Sequence, residues 1–262
     1  MADESMLRTL AAQAEAIWPQ ERPLFARYAL PDDARIADVG CGSGEISARL
    51  AADYPSARVV GIDILDGVIA NAEERHRGLA PRVSFEQGDA FHLRFGDDAF
   101  DLVLCRHVTQ AVPNPERVLA ELKRVCKPGG WLHVLSEDYG MIHATPGSLD
   151  ADRLWRDGAI PFTASGGADA RVGRRTWSLL RALELEELRV DYAVVDTERV
   201  PRVVFAAVIE AWRDGYADAM ATRTSCREAR AIFDQIIASI RDPEQYAVWH
   251  VPIVSGRKPR SR

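Results

Sequence analysis

Residues 36–45 read Ile36-Ala37-Asp38-Val39-Gly40-Cys41-Gly42-Ser43-Gly44-Glu45, an apolar run that breaks into three alternate glycines and then turns helical. Glycines at such a turn allow a tight bend and let a ligand lie against bare backbone. The helix start behind them offers unpaired N–H groups. A dinucleotide fingerprint would need G-x-G-x-x-G, but the sixth position holds Glu45, a poor neighbour for a pyrophosphate. The loop therefore suits a ligand without phosphate at that point.

Two acidic elements follow at telling distances. Gly61-Ile62-Asp63 ends the next apolar run, about 20 residues on, where a carboxylate can accept both hydroxyls of a ribose. A plain helix cap is the other reading of Asp63. Gln87-Gly88-Asp89-Ala90 ends the third run, and Asp89 can accept a hydrogen bond from an adenine amino group or simply serve a turn. Together the three elements describe an adenosine site.

Working outward, strands are expected over residues 35–39, 58–62, 83–86, 100–105 and 131–135. Helices are expected over 43–52, 66–77 and 115–126, with Pro115 in a first turn. This alternation implies βαβ units, a mostly parallel sheet and a ligand site at the carboxyl ends of its strands. Further on, residues 149–155, 174–183, 201–221 and 226–240 read as helices, 164–173 as a glycine-rich loop, and 188–195 and 246–254 as strands. Residues 3–18 form an amphipathic helix that Pro19 is expected to end, either as packing or as a flap over a ligand. The organisation expected is a flap at 1–30, a core at 31–136, and a remainder at 137–262 with helical cap insertions at 137–173 and 197–245.

The 262 residues are 47% apolar and 27% charged, ordinary for a globular chain. Net charge is −6, which argues against a phosphate-backbone binder, so no nucleic-acid partner is expected. No apolar run approaches the length of a membrane span, and residues 1–10 hold Asp3 and Glu4 and no signal core. A cytoplasmic protein, monomer or homodimer, with no membrane partner, is expected. The four cysteines lie apart with no C-x-x-C pair, as reduced thiols do.

In order and spacing, ADVGCGSGE (37–45), GID (61–63), EQGDA (86–90), FDLVLCRHV (100–108) and KPGGWLHV (127–134) resemble the class I S-adenosylmethionine-dependent methyltransferases of the UbiE-like, small-molecule type. The resemblance covers residues 30–136 strongly and extends more weakly to Gly173-Arg174-Arg175. It implies an α/β, Rossmann-like, doubly wound seven-stranded sheet with an antiparallel last strand. It also implies S-adenosylmethionine as cofactor and a small-molecule acceptor. Carried over residue by residue, Gly40, Cys41, Gly42 and Gly44 shape the methionine and ribose pocket, and Asp38 faces the methionine amino group. Asp63 and Ile64 take the ribose, Asp89 and Ala90 border adenine, and Arg106 and His107 lie near the methyl group.

Transfer from a sulfonium needs alignment above all, and a base only where the acceptor must lose a proton. His107, His143 and Tyr139 are the catalytic candidates, since each follows a strand at the ligand edge. The six histidines show no metal spacing, so no metal is expected. Tyr139, Trp155, Phe162, Phe205, Trp212, Tyr216 and Phe233 could wall an acceptor pocket or glue the cap to the core. Arg153, Arg156, Arg171 and Arg202 could pair with an acceptor carboxylate or with solvent. Three rivals remain: the same fold without methyl transfer (pericyclic or decarboxylation chemistry), a nicotinamide dehydrogenase, and a non-catalytic partner protein.

Overall fold

The computed structural model describes residues 4–219 and 226–260. In chain order it holds α1 (Glu4–Glu21), β1 (Arg35–Val39), α2 (Glu45–Asp53), β2 (Arg58–Asp63), α3 (Asp66–His76), β3 (Val83–Gln87), β4 (Phe100–Arg106), α4 (Pro115–Val125) and β5 (Cys126–Leu135). Then come β6 (Ile142–Ala144), α5 (Ala151–Arg153), α6 (Ile160–Ser165), α7 (Thr176–Ala182), β7 (Glu186–Asp196), α8 (Arg202–Tyr216), α9 (Cys226–Arg241) and β8 (Ala247–Arg257).

β3, β2, β1, β4 and β5 lie side by side and parallel. β8 runs antiparallel to β5, and β7 antiparallel to β8. This is the expected Rossmann-like doubly wound sheet of seven main strands with an antiparallel last strand. β1 and β4 sit in its middle. Ile36 to Val39 and Leu102 to Arg106 are buried, as mostly apolar central strands covered on both faces are. One face packs Ile46 and Leu50 of α2 with Trp18, Phe25 and Tyr28. The other packs Val118, Leu119 and Leu122 of α4 with Leu180 of α7. A third cluster joins α1, α8 and α9 through Ile17, Trp155, Phe205, Trp212, Phe233 and Trp249.

Several expectations need correction. Helix α1 runs past Pro19 to Glu21, because the carbonyl that proline leaves unbonded is on an exposed turn. A short strand not expected from sequence, β6, pairs with the start of β8. Residues 151–165 are helical throughout, the middle turn widened at Leu154–Ala159, so the glycine-rich loop begins only at Gly166. The terminal strand is β8 over Ala247–Arg257, three residues longer at its end than expected. The helix expected over residues 201–221 ends at Tyr216, and 220–225 lie outside the described residues, as do 1–3 and 261–262. Cys41, Cys105 and Cys126 are free and buried; the Cys226 side chain lies outside the description.

One buried polar knot ties α1 to the sheet. Glu21 Oε1 accepts from Arg106 Nε at 2.8 Å and from His133 Nε2 at 2.9 Å, while the Tyr28 hydroxyl lies 2.7 Å from His133 Nδ1. Burial would raise the Glu21 carboxyl, but the Arg106 charge and the His133 hydrogen bond overcome it and hold Glu21 at about 2. A depressed carboxylate stabilises the fold above its unfolded value of 4.5 and loses that contribution as pH falls through about 2. Glu21→Ala leaves Arg106 without its counter-charge and is expected to cost about 3–5 kcal/mol. Urea unfolding at neutral pH checks it, and a loss below about 1 kcal/mol contradicts the reading.

Candidate active site

The parallel strands end at one edge, and the chemistry-bearing residues gather there. β1 delivers Asp38 and the glycine turn, β2 delivers Asp63, β3 is followed by Asp89, β4 ends at Arg106, and β5 is followed by Glu137. A cleft of about 760 Å³ opens along this edge, within the range of small-ligand sites. A small cavity of about 20 Å³ lies beside it, lined by Asp38, Gly40, Cys41 and Arg106 and closed by Leu10 and Ala14 of α1.

The glycine turn is set by close contacts. Gly40 has φ +79, and a Cβ there would lie 2.2 Å from Val108 Cγ2, so both conformation and space demand glycine. A Cβ on Gly42 would meet Leu10 of the flap. Gly44 differs from expectation. It faces Phe85 and His76, and it does not line the cleft. His76 is half-buried and contacts Ser43 O at 3.1 Å, bracing the turn.

Asp63 holds the turn to β2: its Oδ2 accepts from Gly42 N at 3.0 Å and its Oδ1 from Leu65 N at 3.0 Å. Each oxygen keeps a second acceptor direction toward the cleft that Asp63 lines. Ile64 is 60% exposed beside it. Asp89 accepts from Phe91 N at 2.9 Å, the turn role, and with Ala90 lines the cleft as well. Asp38 is buried and accepts from Ser47 Oγ at 2.7 Å. Burial raises its carboxyl to about 6 despite that bond and the Arg106 charge. Cys41 is buried beside it with its thiol pushed well up by burial, which makes it packing rather than a nucleophile.

At the other end of the cleft, His107 Nδ1 lies 2.7 Å from Glu137 Oε1. A carboxylate only accepts, so Nδ1 is the donor in this pair. The ring's Nε2 is buried and has no hydrogen-bond partner. Gln13 of α1 donates to the same Glu137 oxygen at 3.0 Å, and the Trp249 ring flanks the imidazole at 6.3 Å. His107 adopts φ +56, a left-handed conformation held by its N–H to Leu135 O at 3.0 Å. Glu137 is itself fixed from behind. Gly173 N donates to Glu137 O at 3.0 Å, and Arg174 grips Asp138 with two bonds of 2.6 and 2.8 Å. Glu137 was not among the expected site residues; its signal was a carboxylate directly after a parallel strand, at the edge that collects ligands.

Two catalytic candidates change standing. His143 is exposed on β6, paired with Val248, and lies outside the cleft lining, because the chain turns along β8 before reaching it. Tyr139 does line the cleft, but burial and the Glu137 carboxylate raise its hydroxyl well above the usual tyrosine value. It keeps its proton at neutral pH and cannot act as a base. Of the seven candidate wall aromatics, Tyr139, Phe162, Trp212 and Tyr216 line the cleft; Trp155, Phe205 and Phe233 belong to the core beneath α8 and α9.

Residues 37–134 match the family model described as methyltransferase domain. Over that stretch, a little over a third of its length, the chain is similar to a methyltransferase domain. It is 35% identical over 130 residues to a probable methyltransferase of Aspergillus luteorubrus, covering 46% of this chain and 45% of that one. It is 36% identical over 115 residues to a trans-aconitate 2-methyltransferase of Variovorax paradoxus, covering 44% and 43%. The aligned stretches span less than half the length of these relatives. Among solved structures, the [4+2]-cyclase SpnF is similar with TM-score 0.58 and 25% identity, over 92% of this chain and 82% of that one.

S-adenosylmethionine is the cofactor of such a domain, and the residues in place fit it. The glycine turn is bare at Gly40 and Gly42, Asp63 has free acceptor directions for a ribose diol, and Asp38 is a buried carboxylate for an ammonium. Arg106 Nη2 is buried without a partner beside that cavity, where it can take the cofactor's carboxylate.

Proposed function

We propose that the chain transfers a methyl group from S-adenosylmethionine to a small-molecule acceptor by in-line displacement. One observation carries the reading: a single cleft has the adenosine-type acceptors Asp63 and Asp89 at one end and an unpaired imidazole nitrogen, His107 Nε2, at the other. The bound cofactor would supply an electrophilic methyl with a neutral leaving group. Asp63 would hold the ribose, Asp89 and Ala90 would border adenine, and Asp38 and Arg106 would clasp the two ends of the amino acid. Glu137 would fix the imidazole, and His107 would receive a proton from the acceptor. Met6, Thr9, Leu10 and Gln13 of α1 would roof the cleft and exclude water.

Labelled S-adenosylmethionine offered with an acceptor panel tests the proposal, alongside calorimetric titration with S-adenosylhomocysteine and with NAD. Tight S-adenosylhomocysteine binding and labelled product are expected. The shared fold with a cyclase makes one contrary result informative: tight binding with acceptor turnover but no transferred label would replace methyl transfer by rearrangement chemistry.

The raised Asp38 carboxyl gives a pH dependence. Asp38 is ionised above about 6 and neutral below. An ammonium needs the carboxylate, so S-adenosylhomocysteine affinity is expected to fall as pH drops through 6, by up to about tenfold per unit. Its own effect on stability has the opposite sign: a raised carboxyl stabilises most below its unfolded value of 3.8 and loses that as pH rises through about 6. Asp38→Asn should flatten the affinity profile; a flat profile in the unaltered protein counts against the ammonium role.

A further inference from the structure

We propose that two copies of this chain pair through the outer edge of β7, strand against strand, across a two-fold axis at Val190. Residues 188–192 lie outside the cleft lining, so the pairing is independent of the methyl-transfer reading.

β7 pairs with β8 on one side and, among the described strands, with none on the other. In an antiparallel strand the two polar groups of a residue point the same way, and successive residues alternate. Gln20 of α1 bonds the N–H and the carbonyl of Val194 from outside, at 3.0 and 2.8 Å, whereas Thr197 N reaches inward to Ala247 O. Leu188, Val190 and Tyr192 therefore turn their N–H and C=O groups outward. Pro252, opposite Tyr192 on β8, fits this parity: it has no N–H, and its carbonyl accepts from Ser136 N. Gln20 closes the edge at Val194, and a bulge interrupts it at Glu187, which has φ +51. Residues 188–192 between them form a regular open edge, with Val190 44% and Tyr192 48% exposed. Such an edge is a template for another strand.

Charge selects a second copy as that strand. An antiparallel copy with Val190 on Val190 sets Leu188 against Tyr192 and Arg189 against Asp191, each twice. Arg189 and Asp191 then form non-hydrogen-bonded pairs, whose side chains approach closest. Arg189 is exposed and has no ion pair among the described residues. Asp191 bonds Arg27 at 2.7 Å through Oδ2 and stays partly exposed. The other registers that match outward groups with outward groups all fail. Centring on Asp191 sets it against itself, and centring on Arg189 does the same to two guanidiniums. Centring on Leu188 runs through the bulge, and centring on Tyr192 needs the Val194 groups that Gln20 holds. A two-fold pair also closes on itself and leaves no β7 edge to propagate.

The interface is one short strand per copy, so a dissociation constant on the order of micromolar is expected. Sedimentation equilibrium of the purified chain, from micromolar to submillimolar concentration, measures it. Arg189→Asp and Asp191→Arg each oppose like charges twice and are each expected to weaken pairing at least about tenfold. Mixed one to one, the two variants restore both ion pairs, so the mixture is expected to dimerise at least about tenfold more tightly than either alone. Val190→Pro removes an outward N–H without breaking a β8 bond and is expected to abolish pairing with little change in Tm. Circular dichroism and thermal unfolding verify that each variant is folded. A monomer at every concentration overturns the proposal. So does a dimer unmoved by Arg189→Asp and Val190→Pro, a mixture no tighter than its parts, or a series extending beyond the dimer.

Discussion

His107→Gln is expected to lower methyl-transfer turnover by about 10²–10⁴-fold, the usual contribution of a positioned base, while S-adenosylhomocysteine affinity stays within about twofold. The prediction follows from the division of the cleft. Nε2 hydrogen-bonds to no other protein group, so removing it breaks no bond at the cofactor end. Glutamine can keep a bond to Glu137 and so preserves the local frame. Turnover is followed by labelled product with whichever acceptor the panel returns, and affinity by calorimetry. Glu137→Gln should produce a smaller loss with a changed pH profile, because it unfixes the proton on Nδ1 without removing the base. Wild-type turnover in His107→Gln would mean that the acceptor arrives already deprotonated or needs no base at all.

Asp63→Ala is expected to weaken S-adenosylhomocysteine binding by about 3 kcal/mol, or roughly 150-fold, through loss of two hydrogen bonds to a charged acceptor. The structure adds a complication that sequence did not show. The same carboxylate staples Gly42 and Leu65, so the variant also loosens the glycine turn. Thermal unfolding separates the two contributions. A lowered Tm with preserved affinity would make Asp63 a structural staple, and a lost affinity with a modest change in Tm would make it the ribose ligand.

The first half of the chain was legible because its signals are local. Strand, glycine turn and helix follow one another within ten residues, and the central parallel strands β1 and β4 are buried along most of their length and so read as largely apolar runs. The end of each such strand then places Asp38, Asp63, Asp89, Arg106 and His107 on one edge without any further information. Glu137 obeys the same rule, yet its meaning lies in a partner 30 residues earlier, and no spacing rule joins residues on different strands. His143 misled for the complementary reason. It follows β5 closely in sequence, but the chain has already entered β6 and turned away along β8. Gly44 was assigned to the ligand by its place in the motif, whereas its contacts are with Phe85 and His76. Helix α1 ran past Pro19 because a helix near its end loses little by one missing bond on a solvent-facing turn.

The knot at Glu21 bears on how freely the roof and the floor of this cleft can be exchanged between proteins. Leu10 and Gln13, towards the middle of α1, line the cleft, whereas Glu21 at the helix's last position supplies the counter-charge for an arginine in the floor. A chain shortened to begin after Glu21 would lose more than a cover: it would strand a guanidinium and an imidazole in the dark of the core. A flap borrowed from another protein to change the choice of acceptor must therefore carry an acid at that last position, or arrive together with a new residue in place of Arg106. Selectivity and stability are inherited here as one piece.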